Sequence, residues 1–350
     1  MGSKVSSFGR LADGTEVSLV TLVNKNGMGV EVTNYGATLV SVTVPDRKGR
    51  TGDVVLGYED VADYVMHAGC LGATIGRNGN RIAGAKVTIS GEEYILDDNE
   101  NGNNLHSGFV GYHRMVWDME VLEDQLAVKF SRVSPDGEQG FPGNFQISVT
   151  YTLTEENEVQ IHYQGVSDKD TIANMTNHSY FNLAGHESGS VLEQTLWIDA
   201  EEITENDSTS IPTGNIRNIK GTVMDFTERK TLGQDIDADY DQLNFGHGYD
   251  HNYVLKNQGT GVRKVAEAMD EKSGRVMEVF TDCVAVQLYT GNFIDPDSRG
   301  KGGAVYQPRH GFCLETQFYP DANHHENFPS SILKAGEAYD TTTIYKFSVR

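Results

Sequence analysis

From Ile147 to Leu153 the apolar side chains fall on every second residue. Ile147, Val149, Tyr151 and Leu153 alternate with Ser148, Thr150 and Thr152. After Glu155-Glu156-Asn157 the pattern resumes at Val159, Ile161 and Tyr163. Side chains of an extended chain point to opposite faces in turn, so this spacing predicts a hairpin with one buried face. The period recurs at Val30 and Val32, then from Leu39 to Val44, with a break at Asn34-Tyr35-Gly36. It recurs again where Val284, Val286 and Leu288 oppose Ala285, Gln287 and Tyr289, and where Phe312, Leu314, Thr316 and Phe318 oppose Cys313, Glu315 and Gln317. Helical spacing is weak, with Asp60 to His67 and Leu232 to Ile236 as the best short candidates. Many short strands joined by Gly, Asn and Asp turns predict sheet packed on sheet. No low-complexity linker or repeat divides the chain. The expectation is an all-β fold, a large antiparallel β-sandwich, with residues 1–350 as one domain. Ser298 to Gly303, SRGKGG, reads as an exposed mobile loop.

Charge narrows the function. The chain has 28 basic and 50 acidic residues, a formal balance of −22. Such a surface repels phosphate backbones and anionic lipid, which argues against nucleic acid and membrane as partners and favours neutral or cationic ligands. No apolar run has the length of a membrane span. Cys70, Cys283 and Cys313 form no CxxC pair, which fits a reducing, cytoplasmic setting. Two glycosylation sequons start at Asn174 and Asn177, inside a polar stretch a glycan would block if that stretch is a site. Gly2 and Ser6 satisfy the loose myristoylation pattern, but an unmodified flexible start is the simpler reading.

Several chemistries lack their motif. No G-x-G-x-x-G follows a strand, no G-x-S-x-G exists, and Gly79 to Lys86 lacks the end of a phosphate loop. His324-His325-Glu326 suggests a metal only if neighbours share a face, which strand neighbours do not. His247 and His251 are four apart, but Gly246 and Gly248 argue against a helix to align them. Polar groups collect in five places: Asn78 to Arg81, Asn103 to Gly108, His178 to Asn182, Tyr249 to Asn252, and the strands carrying Gln287 and Glu315. Asn-Gly pairs such as Asn78-Gly79 also serve as plain corners. Glu315 is harder to explain away, because an unpaired carboxylate in an apolar strand costs several kcal/mol. Asn, Gln, Asp, Arg and His supply the paired donors and acceptors that sugar hydroxyls need. Tyr180, Tyr289 and Phe181 offer flat apolar faces. These types alone do not separate an enzyme from a lectin.

The segments GRNGNRIAGAKVTISGEEYIL, NNLHSG, TNHSYFNLAGH, YDHNYVL, VQLYTGN and GFCLETQFYPDANHHENFPSSIL resemble, in order and spacing, the motifs of the aldose 1-epimerases or galactose mutarotases. The resemblance covers nearly the whole chain. It implies the family's β-sandwich with an open cleft, anomer exchange on free hexoses such as glucose and galactose, and no cofactor or metal. By position, Glu315 matches the general base and His178 the general acid. Asn80, Arg81, His106, Asp250 and Gln287 match sugar-binding positions, with Tyr180 in the histidine motif. Asn78-Gly79 departs from the small apolar residues expected there and should affect only the turn.

Ring opening needs a base for the anomeric hydroxyl and an acid for the ring oxygen. Glu315 is accordingly expected without its proton at working pH and His178 with one in the sugar complex, helped by the charge of Asp250. The other polar groups around His178 are expected to orient its ring and hold hydroxyls. A monomer or weak dimer is expected. A hexose-phosphate mutarotase, a non-catalytic sugar-binding protein on the same scaffold, and a glycoside hydrolase using Asp250 with Glu315 stay open as alternatives.

Overall fold

The computed structural model describes residues 2–67, 69–296 and 299–350. Its strands form three large sheets and several two-stranded ribbons. The largest sheet has nine strands. In spatial order they are Asp118–Leu122, Ala127–Ser134, Phe145–Leu153, Glu158–Ser167, Ala338–Val349, Arg275–Thr281, Arg263–Met269, Thr195–Ile198 and Lys230–Thr231. The predicted hairpin lies within it, with Tyr151 opposite Ile161 and Val149 opposite Tyr163. Its turn is held by Thr154, whose Oγ1 accepts from the backbone N–H groups of Glu156 and Glu158. The expected pair around Asn34-Tyr35-Gly36 is also present, as Gly29–Thr33 and Thr38–Pro45. Gly36 has φ +67°, and a Cβ there would lie 2.6 Å from the His113 carbonyl oxygen, so the break requires glycine.

That pair belongs to a five-stranded sheet, Gly2–Arg10, Glu16–Val23, Gly29–Thr33, Thr38–Pro45 and Thr51–Asp53. A second five-stranded sheet runs Pro212–Asn218, Glu202–Asn206, Asp250–Val254, Ala285–Tyr289 and Cys313–Gln317. One apolar cluster joins all three: Val20 and Val30 from the first, Phe130, Val149 and Tyr345 from the largest, Tyr253, Leu288 and Leu314 from the last. All pairings in these sheets are antiparallel, as expected of a β-sandwich.

Four local expectations need correction. Residues 2–10 are not a flexible start but a strand, with Gly2 opposite Val23. Residues 232–236 are turns, because the N–H of Leu232 bonds Gln194 and that of Gly233 bonds Leu192 instead of a helical partner. The two α-helices among the described residues are Val61–Met66, inside the expected Asp60–His67 stretch and capped by the Asp60 carboxylate, and Asp241–Gly246. The SRGKGG segment is anchored: Lys301 Nζ bonds the Val40 carbonyl at 2.6 Å and Asp53 at 2.5 Å, while Ser298 lies outside the described residues. His324 and His325 do share a direction, because they leave a 3₁₀ turn and both meet the Asp321 carboxylate.

Candidate active site

Three neighbouring strands of the second five-stranded sheet build one wall of a cavity. Asp250 stands opposite Tyr289 and Tyr289 opposite Cys313; one step along, Asn252 stands opposite Gln287 and Gln287 opposite Glu315. Period-2 alternation places all six on one face. The other face, with Tyr253, Val286, Leu288 and Leu314, enters the apolar core. A polar face and an apolar face, both covered, explain why a carboxylate sits in so apolar a strand.

The facing wall comes from the TNHSYFNLAGH segment. Thr176–Asn177 pairs with Thr74–Ile75, and the His178 N–H donates to the Ala73 carbonyl. Several polar groups here bond backbone or one another and not the imidazole they were expected to orient. Asn177 donates to the Gly72 carbonyl and accepts from Ser179; Asn182 donates to the carbonyls of Gly189 and His310. The imidazole is instead oriented by rings and a thiol. Tyr180 stacks on it at 5.0 Å. His106 and Tyr289 meet it edge-on at 5.2 and 6.2 Å.

The cavity between these walls has a volume of about 300 Å³, within reach of a small ligand. Its lining includes Asn80, Arg81, His106, His178, Tyr180, Asp250 and Glu315. Gln287 is the candidate that does not line it. Its amide donates to Asp250 at 2.6 Å from behind. Cys70, Glu100, Leu105 and Phe293 line the cavity and were not singled out. Glu100 carried a signal, since it lies in the acidic turn before Asn103-Asn104; its carboxylate clamps Arg81 at 2.6 and 2.7 Å. Asn78 does more than shape a turn: its N–H donates to Ser107 and its side-chain oxygen faces the Asn174 amide.

His178 Nε2 and Glu315 Oε2 are 3.7 Å apart, and this Oε2 has no other partner. Burial raises the Glu315 carboxyl well above the usual carboxylate range; the Asp250 charge adds to the rise and Arg81 opposes it. Burial lowers His178 to about 4, with its own backbone carbonyl opposing. In the unliganded cleft these shifts favour a neutral acid facing a neutral imidazole, whereas the assignment expected from sequence concerns the sugar complex. Asp250 acts on Glu315 and not on His178. Burial also raises Asp250 itself, against Arg81 and Gln287. Burial works against the Arg81 charge, but Asp250 and Glu100 outweigh it and the net shift is upward. His106 is held neutral by burial first and by His178, His113 and Arg81 after it. Its Nδ1 accepts from the Asn80 N–H at 3.1 Å, which puts its proton on Nε2 as a donor.

Among the described residues, His178, Cys313 and Glu315 are the cluster whose metal-ligating atoms approach one another, within 4.8 Å. The short contacts use different ring nitrogens: Cys313 Sγ faces Nδ1 at 3.6 Å and Glu315 faces Nε2. The thiol and the carboxyl thus meet opposite nitrogens of one ring, which suits proton handling at the imidazole.

The sequence profile of the aldose 1-epimerase family matches residues 18–346. The chain belongs to the aldose 1-epimerase family. Galactose mutarotase of Rattus norvegicus is 40% identical over 342 residues, 98% of this chain and 97% of that protein. The aldose 1-epimerase of Escherichia coli (strain K12) is 36% identical over 337 residues, 96% of each chain. Among solved structures, an aldose epimerase homologue from C. elegans superposes with a TM-score of 0.86 at 29% identity, covering 94% of this chain and 98% of that one. Galactose 1-epimerase from Lactobacillus acidophilus NCFM gives 0.86 at 27%, covering 99% and 98%. Family membership makes this chain an isomerase.

Proposed function

We propose that the chain is an aldose 1-epimerase acting on free hexoses such as glucose and galactose, with residues 1–350 as one catalytic domain. The observation that carries this reading is the 3.7 Å meeting of His178 Nε2 and Glu315 Oε2 on a cavity wall. The anomeric hydroxyl and the ring oxygen sit on one carbon. A base and an acid serving both must therefore be close neighbours.

Against the cyclic sugar, the Glu315 carboxylate takes the anomeric hydroxyl proton. The bond from the anomeric carbon to the ring oxygen breaks as the aldehyde forms, and His178 Nε2–H protonates the departing oxygen. Glu315 then holds a proton and His178 is neutral. Rotation about the bond to the next carbon presents the other aldehyde face, and the transfers reverse. This end state matches the protonation that burial favours in the unliganded cleft. One proton shared by two adjacent groups thus serves both forms of the sugar. His106 Nε2–H, Arg81, Asn80 and Asp250 are the partners proposed for the remaining hydroxyls, with Gln287 fixing Asp250 from behind.

Arg81 is the one cation on the described lining, and Glu100 already engages it. That balance supports an uncharged sugar over a phosphate ester. No helix among the described residues is long and apolar enough to cross a membrane. The absence of a disulfide at Cys70, Cys283 and Cys313, and sequon asparagines Asn174 and Asn177 at 1% and 4% exposure, support a cytoplasmic setting without glycans. Polarimetry on fresh α-D-glucose and α-D-galactose tests the activity: relaxation should accelerate and Glu315→Gln should nearly abolish the gain. No acceleration, or a preference for glucose 6-phosphate, would sink this reading.

A further inference from the structure

The reaction asks two things of the same imidazole nitrogen. Nε2 must carry a proton while the cyclic sugar is bound, and must be bare once the sugar has opened. A neutral imidazole holds one proton, so a bare Nε2 requires the proton on Nδ1. Whatever faces Nδ1 therefore decides whether the ring can take a proton back.

The side-chain atom facing Nδ1 is Cys313 Sγ, at 3.6 Å. Cys313 has no exposure to solvent. Its place is set by pairing with Tyr289 at the start of Cys313–Gln317, two residues from Glu315 on the same face. The ring has little freedom to turn between the Tyr180 face and the edges of His106 and Tyr289. Nδ1 thus meets sulfur while Nε2 meets the carboxyl.

We propose that Cys313 is a positioning residue: its sulfur accepts the Nδ1–H of His178 and keeps Nε2 bare, ready for the hydroxyl proton of the opened sugar. This rests on the mutarotase reading above. The thiol keeps its own proton, because burial, then Glu315 and Asp250, push its pKa well above the ordinary value. It acts as a neutral acceptor and not as a thiolate. Without it, a proton resting on Nε2 would block ring closure while leaving the sugar's binding contacts in place.

The test joins spectroscopy to kinetics. Two-bond ¹H–¹⁵N spectra of the unliganded, histidine-labelled chain at neutral pH should show His178 protonated on Nδ1 and bare on Nε2. Cys313→Ala should lower kcat about tenfold, as loss of one hydrogen bond would, with KM changed less than about twofold. Its spectrum should show the proton moving toward Nε2. Cys313→Ser, whose hydroxyl can still accept, should keep the wild-type tautomer and a kcat within about threefold. A wild-type proton on Nε2, an unchanged kcat in the alanine variant, or a serine variant as slow as alanine would each overturn the proposal. If the alanine variant does not fold, the wild-type spectrum and the serine variant still decide. A wild-type chain that fails to speed mutarotation would overturn the mutarotase reading instead, and the spectrum would still report the proton's place.

Discussion

Glu315 meets two opposing demands. Catalysis needs its carboxylate, while burial favours its acid form. A carboxyl whose folded pKa is raised adds stability below its ordinary value near 4.5 and loses it as pH rises through the folded value. At neutral pH the ionised group is therefore a burden on the fold. Glu315→Gln should reduce kcat by about 10²- to 10⁴-fold. It should also raise the calorimetric melting temperature at pH 7 while leaving it unchanged near pH 4. Neighbouring charges give a second reading of the same group. Asp250 raises Glu315 and Arg81 lowers it. Asp250→Asn should move the acid limb of the kcat/KM profile to lower pH, and Arg81→Met should move it higher, whatever either change does to sugar affinity. Coincident limbs in both variants would remove Glu315 as the titrating base. His178, Glu315 and the hydroxyl partners could be read from sequence because their motifs resemble a family. Cys313 could not, since a cysteine in an apolar strand looks like core until its sulfur is seen against Nδ1. The tie from the Gln287 amide to Asp250 was not legible either, since sequence does not say which polar side chains on one face bond to each other.

At the scale of elements, strands with one apolar face were legible and short irregular ones were not. The hairpin from Phe145 to Ser167 announces itself through its period and its Thr154 turn. Leu232 to Ile236 has helical spacing but spends its N–H groups on Gln194 and Leu192, a tertiary preference that local pattern cannot reveal. Arg77 is the clearest hidden element tie. It is fully buried and binds the carbonyls of Ser134, Pro142, Pro135 and Gly143 together with the hydroxyls of Ser134 and Thr171. It thereby fastens the turn before Asn80-Arg81 to the 134–143 loop. Arg77→Met leaves those acceptors buried without a donor. The loss should be about 3 kcal/mol or more, measured by urea unfolding, with a weakened sugar KM as the turn loosens.

The whole molecule should be sensitive to acid well above the carboxylate range. Burial lowers His113, His178 and His251 to about 4, and His106 well below its ordinary value. Each contributes stability that is present above about pH 6.5 and is lost as pH falls through the folded value, roughly 3 kcal/mol for a group brought to 4. Glu315 and Asp250 slope the other way but are fewer. The urea midpoint should fall steeply between pH 6.5 and 4, and His251→Asn should flatten that slope. Sheet order has a consequence of another kind. Ala338–Val349 lies at the centre of the nine-stranded sheet, paired to Glu158–Ser167 on one side and Arg275–Thr281 on the other. All eight companions leave the ribosome before it does. Until it arrives, the largest sheet exists as separate portions, each with a raw inner edge ready to pair with whatever strand comes near. The nascent chain must be shielded through that interval, and the keystone that ends it is also the piece that completes the floor beneath Leu314 and the catalytic strand.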